Sequence, residues 1–154
     1  MKETLDSFDV KILNQLQRDA KLSNVELASR VGLSPSPCLA RVKALTEKGY
    51  IWRHVTLLDP VKVGLSLNVF IQITLNRQTE STLAAFATAV RSWPEVLECH
   101  LMTGDADYLL RLVVRDVDHL RVFILERLTP FEGIASIRSS IALEQVKYDT
   151  ALPI

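Results

Sequence analysis

The segment VGLSPSPCLARVKAL, residues 31–45, carries two prolines directly ahead of apolar residues at helical spacing. Proline has no amide proton and a φ fixed near −65°, so a helix tolerates it only where the amide has no intrahelical acceptor. Pro35 and Pro37 are thereby confined to the first turn of a helix, with Ser34 as N-cap and Pro35 at the first helical position. Cys38, Val42 and Leu45 then face inward, while Ser36, Ala40, Arg41 and Lys43 lie on or beside the outer face. A stiff helix whose positive dipole end carries small polar groups and a nearby Arg/Lys pair is suited to a DNA major groove.

The preceding residues support that expectation. Phe8, Ile12, Leu16 and Ala20 form one stripe, with Leu13 beside it and Asp6 as N-cap, so a first helix is predicted. Ser23 followed by Glu26 is a capping-box pattern that opens a second helix, with Leu27, Ala28 and Val31 inward. Gly32 stands where that helix needs a left-handed C-cap. Helix, short helix, glycine turn and basic helix together make a helix-turn-helix. The plain alternative is a three-helix bundle with solvated charges. Three coincident features weigh against it: the small Ala28, Gly32 four residues on, and the proline-led helix. "GYIWRHVTLLDP" alternates and predicts a strand running into a linker, with Arg53 and His54 either near phosphate or simply solvated.

Charge agrees with a local docking surface rather than a basic coat. Net charge is zero over 154 residues, yet residues 1–60 hold nine Lys/Arg against seven Asp/Glu, and residues 61–154 nine against eleven. Within residues 30–53, Arg30, Arg41, Lys43, Lys48 and Arg53 face only Glu47.

Beyond residue 60 the apolar period falls to two. Leu67, Val69, Ile71, Ile73 and Leu75 predict a strand, and Leu83, Phe86, Ala87 and Val90 a helix. Two strand-like runs then flank Gly104-Asp105-Ala106-Asp107, a hairpin signal. A second helix is carried by Leu120, Phe123, Ile124 and Leu128, and "GIASIRSSIALEQVKY" predicts a last long strand. The order βαββαβ is that of the ferredoxin-like sandwich, a fold that hosts many functions. The chain is therefore expected to be α+β, with residues 1–59 forming the DNA-binding domain and residues 60–154 the sandwich.

The turn "TGDADYLLR" has chemistry of its own. Backbone N–H groups near Gly104 could receive an α-carboxylate, and Asp105 or Asp107 an α-ammonium. Taken alone, an ordinary polar hairpin is the simpler account. A metal is weaker still, since no His or third carboxylate lies nearby in sequence. Cys38 and Cys99 are far apart in no CxxC arrangement, and His54, His100 and His119 show no ligand spacing. Reduced thiols in a cytosolic protein are the expectation. No nucleophile elbow or Gly-rich phosphate loop occurs, and Cys99 and His100, adjacent on a strand, point to opposite faces. Enzymatic activity is not expected. The charged start carries no signal-peptide pattern, and the longest uncharged stretch, residues 63–76, is too short to span a bilayer.

"SNVELASRVGLSPSPCLARVKALTEKGYI", "VFIQITLN", "ECHLMTGDADYLLR" and "ALEQVKY", in that order across nearly the whole chain, resemble the Lrp/AsnC family of prokaryotic transcriptional regulators. The resemblance implies an N-terminal winged-helix-type DNA-binding domain and a C-terminal ferredoxin-like domain for assembly and amino-acid sensing. It further implies homodimers that associate, often into octamers, with small effectors held between dimers and no cofactor. DNA contacts are expected from Ser34, Ser36, Pro37, Ala40, Arg41, Lys43 and Arg53. Effector contacts are implied for Leu101, Thr103, Gly104, Asp105, Asp107 and Tyr108, with Ser140 and Ile141 secondary. The function expected is a sequence-specific, effector-modulated regulator in the cytoplasm, associated with the nucleoid. The rivals are an architectural DNA-bending protein of weak sequence preference, and a metabolite sensor whose helical half binds protein.

Overall fold

In the computed structural model, which describes residues 4–154, the chain forms two compact units. One comprises the residues up to Thr56 together with Lys147–Ile154, the other Leu57–Val146.

The first unit holds three helices, α1 (Ser7–Arg18), α2 (Asn24–Val31) and α3 (Pro35–Glu47). Asp6 caps α1, and reciprocal bonds with Asp9 complete a capping box; Ser23 and Glu26 do the same for α2. Such a cap contributes about 1 kcal/mol by satisfying amides that have no helical partner. Gly32 ends α2 at φ 79°, a left-handed conformation that costs a side-chain-bearing residue strain. The core joins one stripe from each helix: Ile12 and Leu13, Leu27, Ala28 and Val31, and Cys38 and Leu45. Ala20 lies beyond α1 and is exposed, so the first stripe is one turn shorter than its spacing suggested.

Residues 50–59 form no strand, contrary to the sequence expectation. Alternation favours a strand only where a neighbouring strand can accept its hydrogen bonds, and no described strand lies beside this segment. Ile51 packs against the helical core, but most of the other apolar residues stay in solvent, Trp52 at 82% and Leu58 at 69% exposure. Residues 147–154 complete the unit along α1. Gln17 accepts from the Leu152 amide at 2.6 Å and donates to the Leu152 carbonyl at 3.2 Å, while the Asn14 amide donates to Ile154 O at 3.0 Å.

The second unit is the sandwich: β1 (Leu67–Leu75), α4 (Glu80–Arg91), β2 (Val96–Leu101), β3 (Tyr108–Val114), α5 (Val117–Phe123) and β4 (Ile134–Ile141). A π-helical turn, Ile124–Leu128, continues α5. The sheet is antiparallel with order β2-β3-β1-β4. Val69, Ile71 and Ile73 of β1 and Leu110, Leu112 and Val114 of β3 are fully buried in the core shared with the helices. Phe86 of α4 packs on Trp93, Tyr108 and Phe131 at centroid distances of 6.1, 4.6 and 5.3 Å. The alternate residues, among them Gln72, Thr74, Arg111, Ser136 and Arg138, point to the helix-free face.

β4 stops at Ile141 rather than running through "ALEQVKY". Its partner explains this: Ile141 pairs with Val69, the Ala142 amide donates to Asn68 O, and β1 begins at Leu67. Beyond that point no ladder remains to hold a strand. No helix among the described residues is long and apolar enough to cross a membrane.

Candidate functional site

The outer face of α3 is built by what its first turn lacks. Ser34 takes the N-cap backbone conformation, φ −76° and ψ 156°, but its side chain caps nothing. A cap oxygen accepts from the second or third helical amide, and the third residue here is Pro37, which has none. The Ser34 hydroxyl and the Ser36 amide are the polar groups left at this helix end. The Asn24 side-chain amide donates to the Pro35 carbonyl at 2.8 Å, fixing the start of α2 against the first turn of α3. Ser34, Ser36, Pro37, Ala40 and Lys43 are all exposed, joined by Leu39 at 45%.

Arg41 departs from the expectation that it reads DNA. Its Nη1 lies 2.6 Å from Asp6 Oδ2 and 2.8 Å from Asp9 Oδ1, and its guanidinium sits 5.6 Å from the Phe8 ring centroid. Two carboxylates and an aromatic face hold it as a strut between α3 and the start of α1. The Asp9 amide, then Arg41, keep the Asp6 carboxyl below its ordinary range. The hydrogen bonds that Arg41 donates to Asp9 and Asp6 raise its own pKa in turn. Base reading would require breaking this arrangement. Arg53 is exposed, its guanidinium stacked 4.2 Å from the Trp52 ring centroid.

In the second unit the GDAD turn divides its residues between the two sheet faces. Met102 N–H donates to the Asp107 carbonyl, and Gly104 takes φ 115° to close the turn. Asp107 is 6% exposed, and both carboxylate oxygens are engaged, one by the Leu75 amide at 2.7 Å and one by the Gln78 side-chain amide. It stitches the end of β1 to the approach of α4, and so is not a free acceptor for an ammonium group. Tyr108 is likewise buried, its hydroxyl donating to the Leu83 carbonyl and its pKa raised by that burial. Tyr108 and the exposed Leu101 line a groove of about 920 Å³ between α4 and β2, floored by Leu83, Ala87 and Cys99. Burial raises the Cys99 thiol above its ordinary range.

Asp105 points the other way. On the helix-free face, Asp105 and Ala106 close a cavity of about 160 Å³ with Gln72, Thr74, Ser136 and Arg138. Thr103 and Gly104 sit exposed at the tip. Ser140 follows Arg138 on this same face, two residues and about 7 Å along β4. Ile141, paired with Val69, faces the helix side far from the turn. The sheet therefore groups Asp105 with Arg138 and Ser136, leaves Ser140 further along the same face, and sets Leu101 with Tyr108 in the groove, rather than bringing all eight residues to one point.

Residues 68–152 match the model of the Lrp/AsnC ligand binding domain, and residues 5–51 that of a winged helix-turn-helix DNA-binding domain. The leucine-responsive regulatory protein of Escherichia coli K12 is 45% identical over 150 residues, 97% of this chain and 92% of that protein. The chain belongs to the Lrp/AsnC family. A transcriptional regulator from Neisseria meningitidis, solved in complex with L-Met, superposes with a TM-score of 0.94 at 43% identity, over 97% of each chain. An AsnC family regulator from Agrobacterium tumefaciens gives 0.93 at 42%, again over 97% of each.

This family member is accordingly a DNA-binding transcriptional regulator with a ligand-binding domain, not an enzyme. Sequence reasoning missed three residues of its surfaces: Leu39 on the outer face of α3, Asn24 beneath it, and Gln78 opposite Asp107. Leu39 directly follows the inward Cys38, and helical spacing alone would have found it. Asn24 and Gln78 act across elements and leave no local signal.

Proposed function

We propose that the protein binds operator DNA through Ser34, Ser36, Pro37, Ala40 and Lys43 of α3, with Arg53 at phosphate, and that an amino-acid effector modulates this binding. The observation that carries the reading is the proline-led helix, whose exposed first turn has an uncommitted hydroxyl and a single early amide. Small side chains such as Ala40 allow close approach and contact with thymine methyl groups. The effector binds around Leu101, Thr103, Gly104, Asp105 and Tyr108, with Ser140 and Ile141 contributing from β4, and needs no cofactor.

The working form is a homodimer that assembles further, to an octamer, on the nucleoid in the cytoplasm. Two features support this. The segment around Trp52 and Leu58 exposes apolar residues without strand partners. Leu97 and Leu101 are also more than half exposed, at 55% and 64%. The protein from Neisseria meningitidis was solved with L-Met, and the relative from Escherichia coli is named for leucine. Both amino acids are therefore the first effectors to try.

A gel-shift titration against specific and random duplexes, at several salt concentrations, tests the DNA half. Lys43→Ala should weaken binding to every sequence and lower the salt slope by about 1, as for a phosphate contact. The withdrawal of Arg41 from the outer face favours a second reading, in which the protein bends DNA with little sequence preference. Equal affinity for specific and random duplexes would establish that reading instead. A thermal-unfolding panel of the twenty amino acids tests the effector half, since ligand at about a hundred times its Kd adds about 2.7 kcal/mol of stability.

A further inference from the structure

The outer stripe of α3 is short of the groups that usually read bases. Ser36, Leu39, Ala40 and Lys43 recur at helical spacing on its exposed side, opposite the buried Cys38 and Leu45. Base edges are commonly read by Arg or Lys at guanine and by Asn or Gln at adenine. α3 contains neither Asn nor Gln, and its one arginine, Arg41, is held by Asp6 and Asp9. Pro35 and Pro37 supply no amide proton, so the leading turn offers only the Ser34 and Ser36 hydroxyls and the Ser36 amide. Glu47 closes the helix, about 12 Å beyond Leu39. A single exposed leucine is ordinary on a protein surface. Leu39 differs by its place: it is 45% exposed, lies outside the core of its unit, and stands mid-stripe on this helix.

We infer that Leu39 is a specificity-determining residue for DNA, packing on the C5-methyl group of one thymine for each bound α3. The inference rests on the reading that α3 enters the major groove of operator DNA. Among the base edges of that groove the thymine methyl is the apolar group, so a leucine finds one favourable neighbour there. At any other base it covers polar edges and blocks their hydrogen bonds to water. A helical leucine leans toward the N-terminus of its helix, and the N-terminal part of a recognition helix is the part that meets base edges. Ala40, the next residue, adds no bulk to hold the helix away from the groove floor. Lys43, one turn further on the exposed side, serves phosphate, so affinity and selectivity fall on different side chains.

The test uses duplexes that the full-length wild-type protein enriches from a random pool, rebuilt with deoxyuridine in place of each thymine in turn. Deoxyuridine keeps the base pairing and removes only the methyl group. Wild type should lose affinity about fourfold at one thymine per bound helix, the contribution of one buried methyl group. Leu39→Ala should bind the parent duplex more weakly and lose nothing further on that uridine substitution. Where the same T·A pair is changed to C·G, 5-methylcytosine should recover part of the loss for wild type and none for Leu39→Ala. The salt slope should stay unchanged in Leu39→Ala, whereas Lys43→Ala lowers it. Leu39 lies outside the core, so matched unfolding midpoints will show that the variant is folded. A uridine penalty that persists in Leu39→Ala assigns the methyl to another residue or to DNA shape, and overturns the inference. An enriched duplex on which wild type is indifferent to every uridine overturns it too, as does a Leu39→Ala loss of equal size on every sequence. In all three cases sequence-specific binding itself stands. A random pool from which wild type enriches nothing overturns both readings.

Discussion

Arg41 shows how one side chain can change role without changing position. Its place beside the outer face of α3 suggests a DNA contact, but Asp6 and Asp9 hold it inside the unit. Arg41→Gln should therefore lower the unfolding midpoint and leave operator preference unchanged, which paired melting and gel-shift experiments will check. The effect depends on pH with a defined sign. Asp6 titrates below its ordinary value of 3.8 in the folded chain, so its contribution is complete above that value and is lost as acid reaches the lowered one. Glu26, lowered by the Ser23 hydroxyl and amide, adds in the same direction. The stabilities of wild type and Arg41→Gln should converge in a urea titration as pH falls below the ordinary 3.8 of Asp6 and through its lowered folded value. Asp107 makes the complementary case. Asp107→Asn replaces an acceptor for two donors with a group that can accept only one of them well, at a cost of about 1–3 kcal/mol. Urea unfolding of the effector-free protein measures that cost separately from any loss of ligand.

The element that matters most for DNA is α3, and its prolines pose a direct test. Pro37→Ala returns an amide to the third helical position, where the idle Ser34 hydroxyl can accept it. The new cap offsets the lost rigidity, so stability should change by less than about 1 kcal/mol. Hydrogen exchange in the first turn should nonetheless quicken, because a frayed turn becomes accessible. α3 was legible in the sequence because its signals are local: a cap, two prolines and a stripe of apolar residues. The same holds for Ser23 with Glu26, for Gly32, and for β1, whose alternation matches its observed span Leu67–Leu75. Features that depend on a distant neighbour were not legible. Residues 50–59 alternate like a strand but lack a described partner, and β4 ends opposite the start of β1 rather than where its own pattern does. The candidate site divides along the same line. That the GDAD turn closes a hairpin is a local fact, but which aspartate stays free depends on Leu75 and Gln78, some thirty residues earlier.

At the scale of the whole molecule, sequence order and structural order differ. The boundary near residue 59 that periodicity suggests takes no account of residues 147–154, which lie along α1 in the DNA-binding unit. Gln17→Ala removes both of its bonds to Leu152 and should destabilise that unit by about 0.5–1.5 kcal/mol. Faster hydrogen exchange in α1, with β1 and β3 unaffected, would confirm that the loss is confined there. The arrangement also bears on how the chain is made. Ribosomes add about 5–20 residues per second, so the helical unit waits on the order of 5–20 s, while residues 57–146 are synthesised, for its last segment. Throughout that interval the nascent helices carry an uncovered strip beside Asn14 and Gln17, and the part of the protein that emerges first is among the last to be finished.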